Sequence, residues 1–121
     1  MKFCWTTINV KDMAASLRFY TEILGLPVTR RVDRLPEMEI AFLGSGETMV
    51  ELIWSSRNVD VSFGKDISLG FVVDSVAAQM ELLAARGVPL HSGPFQPNPS
   101  VRFIYVLDPD GLKIQFVENI R

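Results

Sequence analysis

The sequence predicts an α+β fold made of two βαβββ modules, and three observations carry that prediction. The same element order occurs twice: a strand, a capped helix, then a strand-rich stretch. The halves also overlay at a nearly constant offset. Trp5 to Val10 fall on Ser68 to Val73 at 63 positions, and Ile40–Leu43 and Val50–Leu52 fall on Ile104–Leu107 and Ile114–Phe116 at 64. Finally, the chain has 121 residues, so neither half alone buries much core and the two sheets are expected to share one interior within a single domain.

Taken in order, Phe3 to Val10 alternate as a strand and end at Asp12, a helix cap. Met13, Leu17, Tyr20 and Leu24 recur at helical spacing until Gly25 stops the helix. Extended segments are expected at Val28–Asp33, Glu39–Leu43 and Thr48–Trp54, with a turn at Gly44-Ser45-Gly46. The second module opens with a strand at Ile67–Val73. Ser75 then caps a helix striped by Val76, Met80, Leu83 and Ala84 and ended by Gly87. A short extended piece at Val88–His91, a stiff Pro-rich loop at Pro94–Pro99, and strands at Val101–Leu107 and Leu112–Glu118 complete it, with Asp108-Pro109-Asp110-Gly111 turning between the last two. The modules therefore span about 1–56 and 66–121, joined by a linker at Ser55–Lys65.

Composition narrows the function classes. The chain is 48% hydrophobic and 21% charged with a formal charge of -2, the balance of a soluble globular protein. Its basic cluster, Arg30, Arg31 and Arg34, is interrupted by Asp33 and flanked by Glu37 and Glu39, which argues against a nucleic-acid partner. The strongest apolar run, Ile67–Val73, is too short to span a bilayer. The start of the chain lacks the pattern of a signal peptide, so a cytoplasmic location is expected. The single cysteine, Cys4, reads as a small buried hydrophobe in a strand, and the single histidine, His91, as a surface or edge residue.

Three stretches carry a resemblance over nearly the whole chain: Asn9-Val10-Lys11-Asp12 leading into Ser16-Leu17-Arg18-Phe19-Tyr20 and Leu24-Gly25-Leu26; Val50-Glu51-Leu52; and Asp108-Pro109-Asp110-Gly111-Leu112-Lys113-Ile114. With these motifs the chain resembles the vicinal oxygen chelate superfamily, which includes glyoxalase I, extradiol dioxygenases, fosfomycin-resistance proteins and bleomycin-binding proteins. The resemblance implies paired modules forming a cup-shaped, partly open sheet barrel with the helices outside. It also implies a homodimer and a ligand or metal inside the cup. In the metal-dependent members His or Glu ligands come from the first and last strands of each module. The matching positions here are Trp5, Glu51, Ser68 and Gln115, and the internal repeat independently pairs Trp5 with Ser68 and Glu51 with Gln115.

That donor set is poor for a metal. Only Glu51 offers a strong anionic oxygen, Ser68 and Gln115 are weak neutral donors, and Trp5 has no lone pair for an ion. No metal and no cofactor are therefore expected. If the matched positions face inward, period-2 alternation adds Thr7 and Met49 to the same face, giving an apolar, aromatic cup with a few polar groups. Trp5, Thr7, Met49, Glu51, Ser68 and Gln115 are the expected ligand-binding residues. Glu51 has three readings: a structural partner of the Trp5 N–H or the Gln115 amide, a recognition group for a cationic or hydrogen-donating ligand, or a general base. The favoured function is a glyoxalase/bleomycin-resistance-like protein that binds a small aromatic or cationic molecule without a catalytic metal. The rivals are a divergent lyase, isomerase or dioxygenase using Glu51 as its catalytic residue, and an interaction module whose cup is merely core.

Overall fold

A computed structural model describes residues 1–46 and 49–120. It divides into two compact units, Met1–Ser62 and Phe63–Arg121. The first unit runs β1 (Trp5–Asn9), α1 (Met13–Arg18), a π-helical turn (Phe19–Ile23), β2 (Val28–Leu35), β3 (Met38–Leu43) and β4 (Met49–Ser55). The second runs β5 (Ser68–Val72), α2 (Val76–Ala85), β6 (Ser92–Asn98), β7 (Val101–Leu107) and β8 (Lys113–Asn119). Each unit holds one four-stranded mixed sheet, in the orders β1-β4-β3-β2 and β5-β8-β7-β6, with the first and last strands parallel. The fold is thus α+β, two βαβββ modules. Position Thr48, where the fourth strand was expected to begin, lies outside the described residues.

The helix starts behave as their sequences dictate. Asp12 is extended and accepts a hydrogen bond from the Ala15 N–H at 3.1 Å, and Ser75 accepts one from the Ala78 N–H at 3.1 Å. The Glu118 carboxylate on β8 takes a further donor of the α2 first turn, the Val76 N–H, at 2.7 Å. The first helix departs from the expected stripe at its end. There the Leu24 N–H reaches back five residues to the Phe19 carbonyl at 3.2 Å, and the widened turn brings the consecutive residues Phe19 and Tyr20 both into the core, with Ile23, while Leu17 and Leu24 stay half-buried.

Each sheet buries one face. In the first unit Ile8, Val10, Ala41, Leu43, Val50 and Leu52 lie beneath the helix; in the second Ile104, Val106, Ile114 and Phe116 do. Alternation along β1, β4 and β8 matches the expected partition. On β3 and β7 it corrects the overlay. Phe42 stands opposite Glu51, and Tyr105 stands opposite Gln115. Phe42 and Tyr105 are therefore equivalent, an offset of 63 rather than 64, and the fully buried pairs are Ala41 with Ile104 and Leu43 with Val106. The extra residue sits in the turn between β7 and β8: seven positions separate Leu43 from its partner Val50, and eight separate Val106 from Ile114. A one-residue slip exchanges the two faces of a strand, so the difference decides which side chains line the open face.

Two further expectations are corrected. The Pro94–Pro99 segment is not a loop through most of its length, because residues 92–98 form the edge strand β6. Its ladder partners are Ser92, Phe95 and Asn98, with Pro94 and Pro97 falling at the register shifts, where no N–H is needed. Gly93, at φ +103°, lets β6 approach β7 closely: a Cβ there would lie 3.1 Å from the Phe103 carbonyl oxygen. Cys4 is exposed, because it precedes the edge strand β1 rather than lying within it. His91 is exposed as expected, with its N–H donated to the Tyr105 carbonyl at 2.8 Å. No helix among the described residues is long and apolar enough to cross a membrane.

Candidate functional site

The face of each sheet opposite its helix carries the polar and aromatic groups, and the strand registers fix who stands beside whom. In the first unit one row crosses the sheet as Thr7, Glu51, Phe42 and Arg30, and the next begins with Trp5 and Met49. Four of the expected ligand-binding residues, Trp5, Thr7, Met49 and Glu51, are thereby brought together on two adjacent strands. The Thr7 hydroxyl donates to Glu51 Oε1 at 2.6 Å. Neither structural partner expected for Glu51, the Trp5 N–H or the Gln115 amide, is the observed one. Sequence reading placed Thr7 on this face without recognising that direct opposition across β1 and β4 makes it the carboxylate's donor.

Around this pair the wall is aromatic. The Trp5 ring meets Phe42 edge-on with centroids 5.1 Å apart, and the Arg30 guanidinium lies 5.9 Å from the Phe42 centroid. Glu51 is only 9% exposed, whereas Trp5 is 41% exposed. The carboxylate is thus screened by apolar neighbours, while the indole remains partly open to solvent. Phe42 and Arg30 were missed as site residues. The β3 pleat hid Phe42, and the bulged, charge-rich β2 concealed that Arg30 shares its face. The remaining basic residues behave as the composition suggested, with Arg31 pairing with Glu39 at 3.1 Å on the exposed surface.

In the second unit Ser68 stands opposite Lys113, and Gly70 opposite Gln115. Ser68 is exposed. The Gln115 amide donates to the Tyr105 hydroxyl at 3.2 Å, and its Oε1 lies 3.1 Å from where a Cβ on residue 70 would sit. Gly70 therefore leaves room for the amide beside β5. Tyr105 continues into a cluster with Phe103 and Phe95, at centroid separations of 5.8 Å and 6.4 Å. Alternation in the sequence puts Phe103 and Tyr105 on one face of their strand without saying which face; Phe95 joins them because its segment is the strand β6 rather than a loop.

Taken unit by unit, these donors do not suit a divalent ion. Trp5 and Glu51 supply one carboxylate, already engaged by Thr7, and an N–H. Ser68 and Gln115 supply neutral oxygens only. Among the described residues no group of three or more His, Cys, Asp or Glu side chains gathers as a metal site.

Two βαβββ units, each with the same strand order and a parallel pairing of its first and last strands, define a paired-module α+β class of protein. A model of the Glyoxalase/Bleomycin resistance protein/Dioxygenase superfamily matches residues 2–116, and the chain belongs to that family. It is 34% identical to the lactoylglutathione lyase of Haemophilus influenzae over 131 residues, covering 98% of this chain and 93% of that protein. It is also 34% identical over 123 residues to the chloroplastic "Probable lactoylglutathione lyase" of Arabidopsis thaliana, but spans only 34% of that longer protein. Among solved structures, the trypanothione-dependent glyoxalase I of Leishmania major superimposes with a TM-score of 0.82 at 26% identity, over 98% of this chain and 86% of that one.

Proposed function

We propose that the protein binds a small aromatic or cationic molecule on its open sheet faces and does so without a catalytic metal. The observation that carries the proposal is the Thr7–Glu51 pair set within the Trp5 and Phe42 rings. A flat or cationic group stacked on the exposed indole lies beside a nearly buried carboxylate whose remaining oxygen can accept a hydrogen bond, which is how small-molecule sites combine apolar walls with a few placed polar groups. Met49 extends the wall of the first unit, and Ser68 and Gln115 are proposed as hydrogen-bonding groups for the ligand on the second.

A specific observation also favours a second reading, that of a divergent lyase, isomerase or dioxygenase. The Haemophilus influenzae relative is named a lactoylglutathione lyase and the Arabidopsis thaliana one a probable one, and Glu51 is the carboxylate that would act as general base. The donor set separates the two. Elemental analysis of protein purified without chelator is expected to show well under one equivalent of Ni, Zn, Mn or Fe per chain, and adding these ions is expected to produce no lactoylglutathione lyase activity assayed in the direction that forms the thioester. Stoichiometric metal, or activity lost to EDTA and restored by one ion, transfers the assignment to the enzyme reading.

For a ligand found by a melting-temperature screen, Trp5→Ala is expected to weaken binding by roughly 1–3 kcal/mol through loss of an aromatic wall. Glu51→Gln keeps the shape and removes the charge. Affinity unchanged within twofold in Glu51→Gln rejects the electrostatic role proposed for that residue.

We also propose that the protein is a cytoplasmic homodimer. Apolar side chains are exposed along the β1 and β5 margins, among them Phe3, Ile67 and Val72. Sedimentation should give about twice the 13.6 kDa chain mass at micromolar concentration; the monomer mass would reject the dimer.

A further inference from the structure

On the open face of the second unit, the side chains of Phe95, Gln96, Pro97, Phe103 and Tyr105 line a shallow depression of about 540 Å³. The three rings are mutually inclined rather than stacked: Phe95 and Phe103 are 5.4 Å apart at 39°, and Phe103 and Tyr105 are 5.8 Å apart at 82°. Phe95, on the edge strand, remains 43% exposed. Such an arrangement leaves aromatic faces and edges available to a further ring. At the Tyr105 side the Lys113 ammonium lies 5.4 Å from the Tyr105 centroid and forms no ion pair among the described residues. Lys113 belongs to the row that begins with Ser68, one step along the sheet from the Tyr105 and Gln115 row.

From this geometry we infer that the depression is a binding site for a bicyclic aromatic anion, its rings against Phe95 and Phe103 and its anionic group at Lys113. The inference rests on the proposal that the open faces bind small molecules, and it narrows the ligand class on the second unit. The charge follows from the lining: the depression itself is apolar, and the charged side chain beside it is a cation. The size follows from the spacing. Alternate residues along a strand are roughly 6–7 Å apart, so a ring beside Phe103 must carry its anion across the width of Tyr105 to reach Lys113. A single ring with a directly attached carboxylate is too short for both contacts. The Gln115 amide, held by the Tyr105 hydroxyl, borders the path as a second polar contact.

The test uses 2-naphthoate, with benzoate, 2-naphthalenemethanol and 2-naphthylmethylammonium as probes matched for charge or shape, titrated into the full chain and followed by NMR. Naphthoate is expected to give saturable shifts at Phe95, Phe103, Tyr105 and Lys113, with the ammonium probe at least tenfold weaker and benzoate weaker than naphthoate. Lys113→Gln should lower naphthoate affinity about tenfold and leave naphthalenemethanol unchanged, and Lys113→Arg should restore most of the loss. Phe95→Ala, at an exposed edge position, should weaken both naphthyl probes. Equal affinity for the anionic and cationic probes, naphthoate affinity unchanged in Lys113→Gln, or no saturable shift at these residues overturns the inference. Shifts confined to Trp5, Thr7 and Glu51 would also overturn it while leaving the proposed function standing. That proposal fails separately, if no ligand of either unit depends on Trp5 or Glu51.

Discussion

Asp108→Ala is expected to destabilise the protein by about 3 kcal/mol, measured as a shift in the denaturant midpoint at unchanged slope. Asp108 is 4% exposed, and its Oδ1 accepts from the Asp110 and Leu112 backbone N–H groups, each at 2.9 Å. Its own N–H donates to the Leu112 carbonyl at 2.8 Å, and its carbonyl accepts from the Gly111 N–H at 3.0 Å. Alanine keeps the backbone pairs but strips the acceptor from two donors, one of them buried, and bonds to a charged acceptor are the stronger kind. Asp108→Asn retains an acceptor oxygen and should lose only about 1 kcal/mol. The turn also sets the start of β8, which carries Lys113 and Gln115, so the alanine variant should weaken any ligand of the second unit. A change below about 0.5 kcal/mol would show that the turn holds without its side chain.

The second large effect tests the pleat of β3. Leu43→Ala is expected to cost about 3 kcal/mol, and Phe42→Ala only about 1 kcal/mol, although phenylalanine loses more atoms. Leu43 is completely buried, whereas Phe42 lies half-buried on the open face, where it contacts the Trp5 ring and the Arg30 guanidinium. Phe42→Ala should instead show its main effect on ligand affinity. If Phe42→Ala proves the more destabilising of the two, the face assigned to each residue is wrong.

The slip on β3 shows where sequence reading stops. Ile40, Ala41, Phe42 and Leu43 are all apolar, as are Ile104, Tyr105, Val106 and Leu107 apart from one hydroxyl. Where both faces of a strand are apolar, alternation carries no phase, and only the ladder partner supplies it. On β1 and β8 polar residues alternate with buried apolar ones, and on β4 the single charge of Glu51 between Val50 and Leu52 sets the phase, so the faces carrying Thr7, Glu51 and Gln115 were legible. Caps and turns were legible for a different reason. Asp12, Ser75 and the Asp108–Gly111 turn act within four residues of themselves, so local chemistry determines them. The helical stripe includes Tyr20, which is buried, but not its neighbour Phe19, because a stripe assumes constant pitch and the widened turn breaks it. The Pro-rich segment was read as a loop because proline disfavours strands, although at an edge its missing N–H costs nothing.

The four sheet margins differ in a way that bears on how the protein behaves at high concentration. β2 has two register shifts and carries Arg30, Arg31, Asp33 and Arg34, while β6 has two register shifts and carries Pro94 and Pro97. β1 and β5 hold neither charge nor proline. Growth of an endless cross-β stack needs a receptive margin on both sides of every sheet, since each newcomer must accept the next. Within each sheet, then, one margin is irregular and carries charge or proline while the other carries neither, so edge-to-edge strand addition is opposed at β2 and β6 and left to β1 and β5.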